Sequence, residues 1–249
     1  MLMLHEVAPT QDAHVRGLAL RQNELFISDN LAGEIKVFDI ETMKPLRSWK
    51  MNSPRQMAFD KWGALWILQS NNRDAAKLLR FTRDGKLLPQ SVVFAKDIKP
   101  TALCFAPDGS LLVTDNGPAQ RVLIYVDANS KPRLAGTFGE KGGIYAAPVA
   151  GRVGPKRLVG PTGIGVDARG VLYVGGTQPA TGTILRAFAP AGKNRWDKLQ
   201  WELLGLEFVD SADIVPNSDG ADVFTTENRY SLDWNKPVGQ QWTWRSQTV

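Results

Sequence analysis

An internal repeat is the feature of this sequence that most restricts how the chain can fold. Five similar segments begin near residues 16, 55, 101, 162 and 212. Each segment alternates apolar with small or polar residues, turns at a glycine or an asparagine, and continues into an aliphatic or aromatic run. Alternation with a period of two, interrupted by a tight turn, is typical of two antiparallel strands. Each segment therefore predicts a β-hairpin.

The spacing of the repeats gives the size of the folded unit. The turn glycines are 46, 61 and 50 residues apart, at Gly63, Gly109, Gly170 and Gly220, and Asn23 takes the corresponding turn 40 residues before the first of them. Two more strand candidates follow most hairpins, for example EIKVFDI and PLRSWKM after the first one. Four strands in each unit of about 40 to 50 residues, with almost no helical periodicity, predict an all-β chain of the β-propeller class with four-stranded blades.

Two of the segments also resemble a known repeat. LFISDNLAGEIKVFD and LLVTDNGPAQRVLIYV are similar to the NHL repeat, which the SMP-30 (gluconolactonase)-like and streptogramin-lyase-like propellers share in looser form. The resemblance implies a single propeller domain over residues 1–249. Such propellers usually have six blades, whereas five copies are visible here, so five blades, six blades and a truncated ring all stay open. The fold hosts lactonases, lyases and binding domains, and the resemblance does not choose among them.

The resemblance also indicates where a ligand would bind. In this family the first strand of each blade lines the central channel, and the residue before that strand faces the ligand. In this chain the position is occupied by Arg16, Arg55, Thr101, Thr162 and Ala212. Two arginines from adjacent blades suit a carboxylate or a phosphate, which makes Arg16, Arg55, Thr101 and Thr162 candidate ligand-binding residues. The alternative is that each arginine pairs with a structural acid such as Asp29 or Asp60.

The segment FGEKGGIYAAPVAGRVGPKRLVG, residues 138–160, departs most from the repeat. Its many glycines and few strand-forming residues predict a long loop, which the strand order places on the ligand face. Tyr145 and Arg152 are candidates to cover an anionic or carbohydrate-like ligand, together with Lys156 and Arg157. Docking of a protein partner on the loop is an equal alternative.

Metal and catalytic chemistry have few candidates in this sequence. SMP-30-like lactonases hold a divalent cation with carboxylate and asparagine oxygens at the positions before the inner strands, where this chain has arginine, threonine and alanine. We therefore expect no metal and no other cofactor. A calcium site would need acids elsewhere, and the candidates are Asp29, Asp115, Asp213 and Glu227. Lyase-like relatives use histidine as an acid or base, and only His5 and His14 are present, so the catalytic candidates are His14 and Asp213.

Composition excludes several classes of function. The net charge of +5 is spread in ones and twos rather than in blocks, so we do not expect a nucleic-acid partner. Cys104 is the single cysteine and lies in the apolar run ALCF, which predicts a buried structural thiol. No run is long and apolar enough to cross a membrane, and the start of the chain does not resemble a signal peptide, so the chain is expected to be soluble, in a compartment that the sequence does not identify.

Two functions fit these observations. The first is an NHL-like binding or scaffold propeller that recognises a small anionic or carbohydrate-like ligand, or a protein partner, at the channel mouth. The alternative is an SMP-30-like metal-dependent lactonase or esterase, or a streptogramin-lyase-like enzyme. An oligomer is possible if the propeller is incomplete, because a second copy can then supply the missing strands.

Overall fold

The structure is a computed structural model that describes residues 14–71, 74–178, 182–205, 212–225, 228–237 and 241–246. Its strands, in chain order, are β1 (Val15–Arg21), β2 (Glu24–Asp29), β3 (Glu34–Asp39), β4 (Pro45–Lys50), β5 (Pro54–Phe59), β6 (Leu65–Gln69), β7 (Lys77–Phe81), β8 (Leu87–Val93), β9 (Pro100–Phe105), β10 (Leu111–Asp115), β11 (Arg121–Val126), β12 (Arg133–Phe138), β13 (Pro161–Val166), β14 (Leu172–Gln178), β15 (Gly182–Pro190), β16 (Trp196–Gly205), β17 (Ala212–Ile214), β18 (Asp222–Thr225), β19 (Asn228–Leu232) and β20 (Trp242–Ser246). A short 3-10 helix spans Gly143–Tyr145.

The described strands form five four-stranded antiparallel sheets in which each strand pairs with the next one along the chain. We call these sheets blades 1 to 5, and they contain β1–β4, β5–β8, β9–β12, β13–β16 and β17–β20. Consecutive four-stranded meanders of this kind are the building units of β-propellers. The predicted all-β propeller class is therefore confirmed, with five blades in the described part of the chain. Within the same residues, no helix has the length and apolar character needed to cross a membrane.

In blades 2, 3 and 4, the turn that joins the first two strands is built by one acid and one glycine. In blade 2, the Asp60 carboxylate accepts hydrogen bonds from the backbone N–H groups of Trp62, at 3.0 Å, and Ala64, at 2.9 Å. Gly63 has a φ of 92°, in the left-handed region that favours glycine. Gly109 and Gly170 repeat this conformation in blades 3 and 4. The glycines that revealed the repeat are thus required by the backbone of the turn.

The described chain divides into two compact units. Unit 1 runs to Asp97 and includes residues 127–133, and it contains blades 1 and 2. Unit 2 contains blades 3, 4 and 5. The core of unit 1 lies between its two blades, where Phe26, Ile35 and Val37 of blade 1 pack against Leu65 and Ile67 of blade 2.

Two apolar clusters of the described residues connect the blades of unit 2. One cluster joins blade 3 to blade 4 through side chains that include Leu112, Ile124 and Phe188. The other joins blade 4 to blade 5 and includes Tyr173 and Val223. Period-two alternation explains both clusters, because a blade between two neighbours presents an apolar row on each of its faces.

Candidate functional site

The candidate ligand positions share one structural feature, a β-bulge near the start of the first strand of a blade. In blade 1, Val15 pairs with Asp29 and Gly17 pairs with Ser28, which leaves Arg16 as an extra residue. The register shifts in the same way around Arg55, Thr101 and Thr162 in blades 2, 3 and 4. Bulges redirect side chains and are common next to binding sites.

A backbone hydrogen bond marks these four positions as equivalent. In blades 1 to 4, a residue at the end of the second strand, or directly after it, donates its backbone N–H to a backbone carbonyl. That carbonyl belongs to the residue two places before the bulge position. The bonds are Asn30 to His14 at 2.8 Å, Ser70 to Ser53 at 3.2 Å, Asn116 to Lys99 at 2.8 Å and Thr177 to Gly160 at 3.0 Å. The alignment of the sequence segments therefore corresponds to a repeated local structure.

Arg16 and Arg55 are neighbours within unit 1 because Gly17 lets two backbones approach closely. A Cβ atom on Gly17 would lie 2.5 Å from the Arg55 carbonyl oxygen and 2.8 Å from the Cα of Gln56. Only a glycine permits β1 and β5 to lie this close. The two guanidinium groups consequently interact: burial lowers the pKa of Arg55, and the positive charge of Arg16 lowers it further.

Two residues that sequence reasoning missed hold Arg55 in place. The Asn30 side-chain amide donates a 3.0 Å hydrogen bond to the carbonyl of Pro54, immediately before Arg55. The Nε atom of Arg55 donates a 2.9 Å hydrogen bond to the carbonyl of Ser70. A signal for Asn30 was present, since the strand-end sequence SDN in blade 1 is repeated as TDN in blade 3. Ser70 acts through its backbone and left no side-chain signal.

The acids considered as structural partners of the arginines have other contacts. Asp60 binds Arg80, whose Nη2 lies 2.8 Å from its Oδ2 atom. Asp29 accepts hydrogen bonds of 2.8 Å from the backbone N–H of Ala32 and from the Nζ atom of Lys36. Within the described ranges, Arg55 forms no ion pair with a carboxylate.

The threonine candidates lie in unit 2, and Thr101 serves the contact between blades there. Its hydroxyl donates a 2.6 Å hydrogen bond to the carbonyl of Pro161, at the start of the first strand of blade 4. It also lies 2.7 Å from the hydroxyl of Thr114 in the next strand of its own blade. Thr162 is half-buried at the bulge that follows Pro161.

The metal candidates do not form an oxygen cage in the part of the chain that is described. Asp115 accepts hydrogen bonds from the backbone N–H groups of Lys99, at 3.0 Å, and Gly117, at 2.9 Å. Asp213 is exposed on β17, and Glu227 lies outside the described residues. Among the described residues no three His, Cys, Asp or Glu side chains come together in a way that would hold a metal ion. The described residues therefore do not supply the converging oxygen donors of the cation site that the family resemblance implies.

His14, a catalytic candidate, and Cys104, the single thiol, lie within the packed part of the fold. His14 is buried just before β1, and its carbonyl accepts the hydrogen bond from Asn30 described above. Cys104 packs beside the apolar cluster between blades 3 and 4. Although part of this residue reaches the surface, burial raises the pKa of its thiol to about 12, so the thiolate nucleophile is scarce at neutral pH.

The long loop of residues 138–160 belongs to unit 2 and lies against the turn between the second and third strands of blade 3. The N–H of Gly142 donates a 2.7 Å bond to the Ala119 carbonyl, and the N–H of Gly160 donates a 2.7 Å bond to the Gln120 side chain. Tyr145 and Arg152 are exposed on this loop. Lys156 instead binds Asp197 at 2.9 Å. Arg157 is buried inside the loop and contacts its backbone, whereas the Lys156 side chain stays 42% exposed in its ion pair.

Comparison with known proteins identifies the fold. The sequence matches no protein-family model, and no curated protein matches it at a significant level. Among solved structures, hydrazine synthase of Kuenenia stuttgartiensis is 12% identical with a TM-score of 0.60, over 100% of this chain and 67% of that one. A gluconolactonase-family protein is 16% identical with a TM-score of 0.58, over 94% of this chain and 74% of that one.

A catalytically inactive variant of virginiamycin B lyase from Staphylococcus aureus, solved with quinupristin, is 12% identical with a TM-score of 0.58, over 97% of this chain and 73% of that one. The structural neighbours also include the β-propeller domain of a further protein. At such low identity these similarities show the fold alone. They include lyase, lactonase-like and scaffold propellers, and activity has to be argued from the residues of this chain.

Proposed function

We propose that the chain is an NHL-like β-propeller binding domain that recognises a small anionic ligand through Arg16 and Arg55. The observation that carries this proposal is the environment of Arg55. Its guanidinium is half-buried beside a second arginine, and its pKa is lowered by both circumstances. Its hydrogen bond among the described residues goes to a neutral carbonyl, that of Ser70.

A bound anion relieves this unfavourable arrangement. Two adjacent like charges repel, and partial burial weakens the screening by water. A carboxylate or phosphate placed between the two groups neutralises the repulsion and accepts hydrogen bonds from two planar donors. A sugar acid or a sugar phosphate is both anionic and carbohydrate-like, and so belongs to both ligand classes expected from the sequence.

The first test is calorimetric titration with citrate, inorganic phosphate and glucose 6-phosphate in a low-chloride buffer, with neutral glucose as a comparison. We expect at least one of the anions to bind, and neutral glucose not to bind. Arg55→Met removes one guanidinium while keeping the length of the side chain, and should weaken anion binding by about tenfold or more, the effect of losing one charge-assisted contact. Arg55→Lys keeps the charge without the planar fork and should bind with intermediate affinity.

Arg195→Met is the matched control, because Arg195 is an exposed arginine far along the chain in unit 2. It should leave the affinity unchanged. Equal weakening by Arg55→Met and Arg195→Met would mean that the anions respond to net charge alone, and the proposed site would then be wrong.

A metal-dependent lactonase or esterase, or a streptogramin-lyase-like enzyme, is the alternative function. The fold similarity to a gluconolactonase-family protein and to virginiamycin B lyase is what favours it. Titration with calcium chloride, followed by assays of lactone hydrolysis with and without calcium, separates the two functions. Calcium-dependent hydrolysis that survives Arg55→Met would support the enzyme and contradict the binding domain.

A further inference from the structure

One segment of unit 2, residues 140–157, is folded around a single buried guanidinium, and we call it the Arg157 loop. The Arg157 guanidinium donates to the backbone carbonyls of four loop residues, Ala146 at 3.3 Å, Ala147 at 3.2 Å, Val149 at 2.9 Å and Arg152 at 3.4 Å. It also binds both carboxylate oxygens of Glu140, at 3.0 and 2.8 Å. One side chain thus fixes the path of the loop from its first to its last residue.

A second buried arginine attaches the Arg157 loop to blade 4. Arg186, on β15, donates a 2.7 Å hydrogen bond to the carbonyl of Arg157 and a 3.3 Å hydrogen bond to that of Pro155. Glu202, on β16, pairs with the Nε atom of Arg186. Because the loop is connected in this way to two strands, its conformation is set before any partner arrives.

The outward side of the Arg157 loop carries apolar and basic side chains. Tyr145 is 59% exposed, Val149 is 55% exposed and Val153 is 67% exposed. Lys141 and Arg152 are also exposed, whereas Glu140, the loop's acid, is bound to Arg157. Single exposed apolar residues are ordinary on protein surfaces, but here three of them lie within nine residues of one fixed loop that also carries the two exposed cations.

We propose that the Arg157 loop is a preformed docking surface for a protein segment in which acidic residues flank apolar side chains. Tyrosine and arginine are enriched at protein interfaces, and the valines give apolar area without polar groups to desolvate. A surface that is already ordered loses little conformational entropy on binding. The carboxylates of the partner would complement Lys141 and Arg152.

Charge favours this partner over a second copy of the chain. The chain carries a net charge of +5, so two copies repel one another at long range, whereas an acidic segment is attracted. Self-association through the loop is therefore an outcome that the experiment must be able to detect.

The test is a selection of binders from a random 12-residue peptide display library on the full chain, followed by affinity measurements on the selected peptides. We expect the enriched sequences to combine aspartate or glutamate with aliphatic or aromatic residues. The double variant Val149→Ser/Val153→Ser should weaken their binding by about tenfold or more, the effect of removing two apolar contacts. Arg152→Glu should weaken it further and should also reduce the dependence of affinity on salt.

Two control variants match these changes elsewhere on the surface. Val93→Ser removes a valine that is 64% exposed on blade 2, and Lys131→Glu reverses the charge of an exposed lysine in unit 1. Neither control should change peptide affinity. All five substituted residues are exposed, so every variant is expected to fold.

Three outcomes would overturn the proposal. The library yields no acidic and apolar binder; or the selected peptides bind the loop variants and the controls equally well; or analytical ultracentrifugation shows a dimer that Val149→Ser/Val153→Ser dissociates. The last result would assign the loop to self-association. None of the three outcomes bears on anion binding by Arg16 and Arg55, which is measured separately.

Discussion

At the scale of single residues, a large charge effect with a defined cause lies at Glu24, at the start of β2. Arg47 binds both of its carboxylate oxygens, at 2.7 and 2.6 Å, and Arg83 binds one of them at 2.5 Å. These contacts, with Arg47 contributing most, lower the pKa of Glu24 from 4.5 to about 2. Since Arg47 lies on blade 1 and Arg83 on blade 2, Glu24 joins the two blades of unit 1.

The lowered pKa of Glu24 predicts a specific acid sensitivity. The carboxyl group ionises more readily in the folded chain than in the unfolded chain, so its contribution is complete above about pH 4.5 and declines as the pH falls towards 2. Glu24→Gln should lower the free energy of unfolding at pH 7 by about 1–2 kcal/mol, typical of charged hydrogen bonds. The difference in free energy of unfolding between Glu24→Gln and wild type, measured by urea unfolding, should become smaller below pH 4.5.

Glu41→Gln is the control for this experiment, because Glu41 is exposed on a turn of the same blade. Its stability should follow that of the wild type at every pH. A constant gap between Glu24→Gln and wild type from pH 7 to pH 3 would contradict the predicted linkage.

At the scale of structural elements, the molecule combines regular blades with one irregular segment, the Arg157 loop. The turns between the first two strands of blades 2, 3 and 4 are fixed locally by an acid and a glycine within a few residues of each other. The loop, in contrast, depends on hydrogen bonds between residues up to 17 positions apart, such as Glu140 and Arg157. Its order therefore depends on the side chains of Arg157 and Arg186 rather than on a repeating backbone pattern.

Arg157→Met should release this loop while the blades stay folded. The substitution leaves four carbonyls and the Glu140 carboxylate without their donor, which we expect to cost about 2–3 kcal/mol in a partly buried setting. Hydrogen exchange should become faster at the amides of Glu140, Ile144 and Gly151, which donate to backbone carbonyls across the loop.

Arg152→Met is the matched change, since the Arg152 side chain is exposed and contributes its backbone carbonyl to the loop. Exchange across the loop should stay slow in this variant. Fast exchange in both variants, or in neither, would mean that Arg157 does not organise the segment.

The long loop also shows what local sequence reasoning misses at this scale. Its position between blades 3 and 4 follows from the spacing of the turn glycines. The inward orientation of Arg157 does not, because it depends on carbonyls brought together by the fold and on Arg186, which lies 29 residues further along the chain. A sequence that reads GRVGPKR suggests exposed cations, and only the folded backbone shows which of them is buried.

At the scale of the whole chain, two apolar clusters of the described residues can be compared, one in each compact unit. The cluster between blades 1 and 2 and the cluster between blades 3 and 4 have no residue in common. Substitutions at distant sites without shared partners usually have additive effects on stability. The two cores should therefore respond independently to small cavities.

This independence can be measured with conservative truncations. Ile67→Val in unit 1 and Ile124→Val in unit 2 should each lower the free energy of unfolding by about 0.5–1.5 kcal/mol. Their combination should equal the sum to within about 0.5 kcal/mol. Ile67→Val with Ile35→Val, both in the cluster of unit 1, is the comparison in which coupling is expected. Coupling in the first pair larger than in the second would contradict separate cores.

Much of the fold was predictable from the sequence, because period-two alternation and turn glycines are local features. The alignment of Arg16, Arg55, Thr101 and Thr162 corresponds to one bulge position in four blades. The hydrogen bonds made by the side chains at that position could not be predicted from the sequence. Thr101 bonds to the carbonyl of Pro161, and Arg55 bonds to that of Ser70, and a backbone acceptor carries no side-chain identity that a sequence could reveal.

The bulge near the start of the first strand holds the candidate ligand positions outside the apolar clusters of the blades. Its backbone geometry recurs with an arginine in two blades and a threonine in two others, so the bulge accepts side chains of different size and charge without a change in the surrounding strands. Under the proposed function, one substitution at Arg16 or Arg55 would alter what the molecule binds and would leave the blade cores intact. On the proposed function, a chain built in this way could acquire a new ligand by point mutation at the bulge positions of blades 1 and 2.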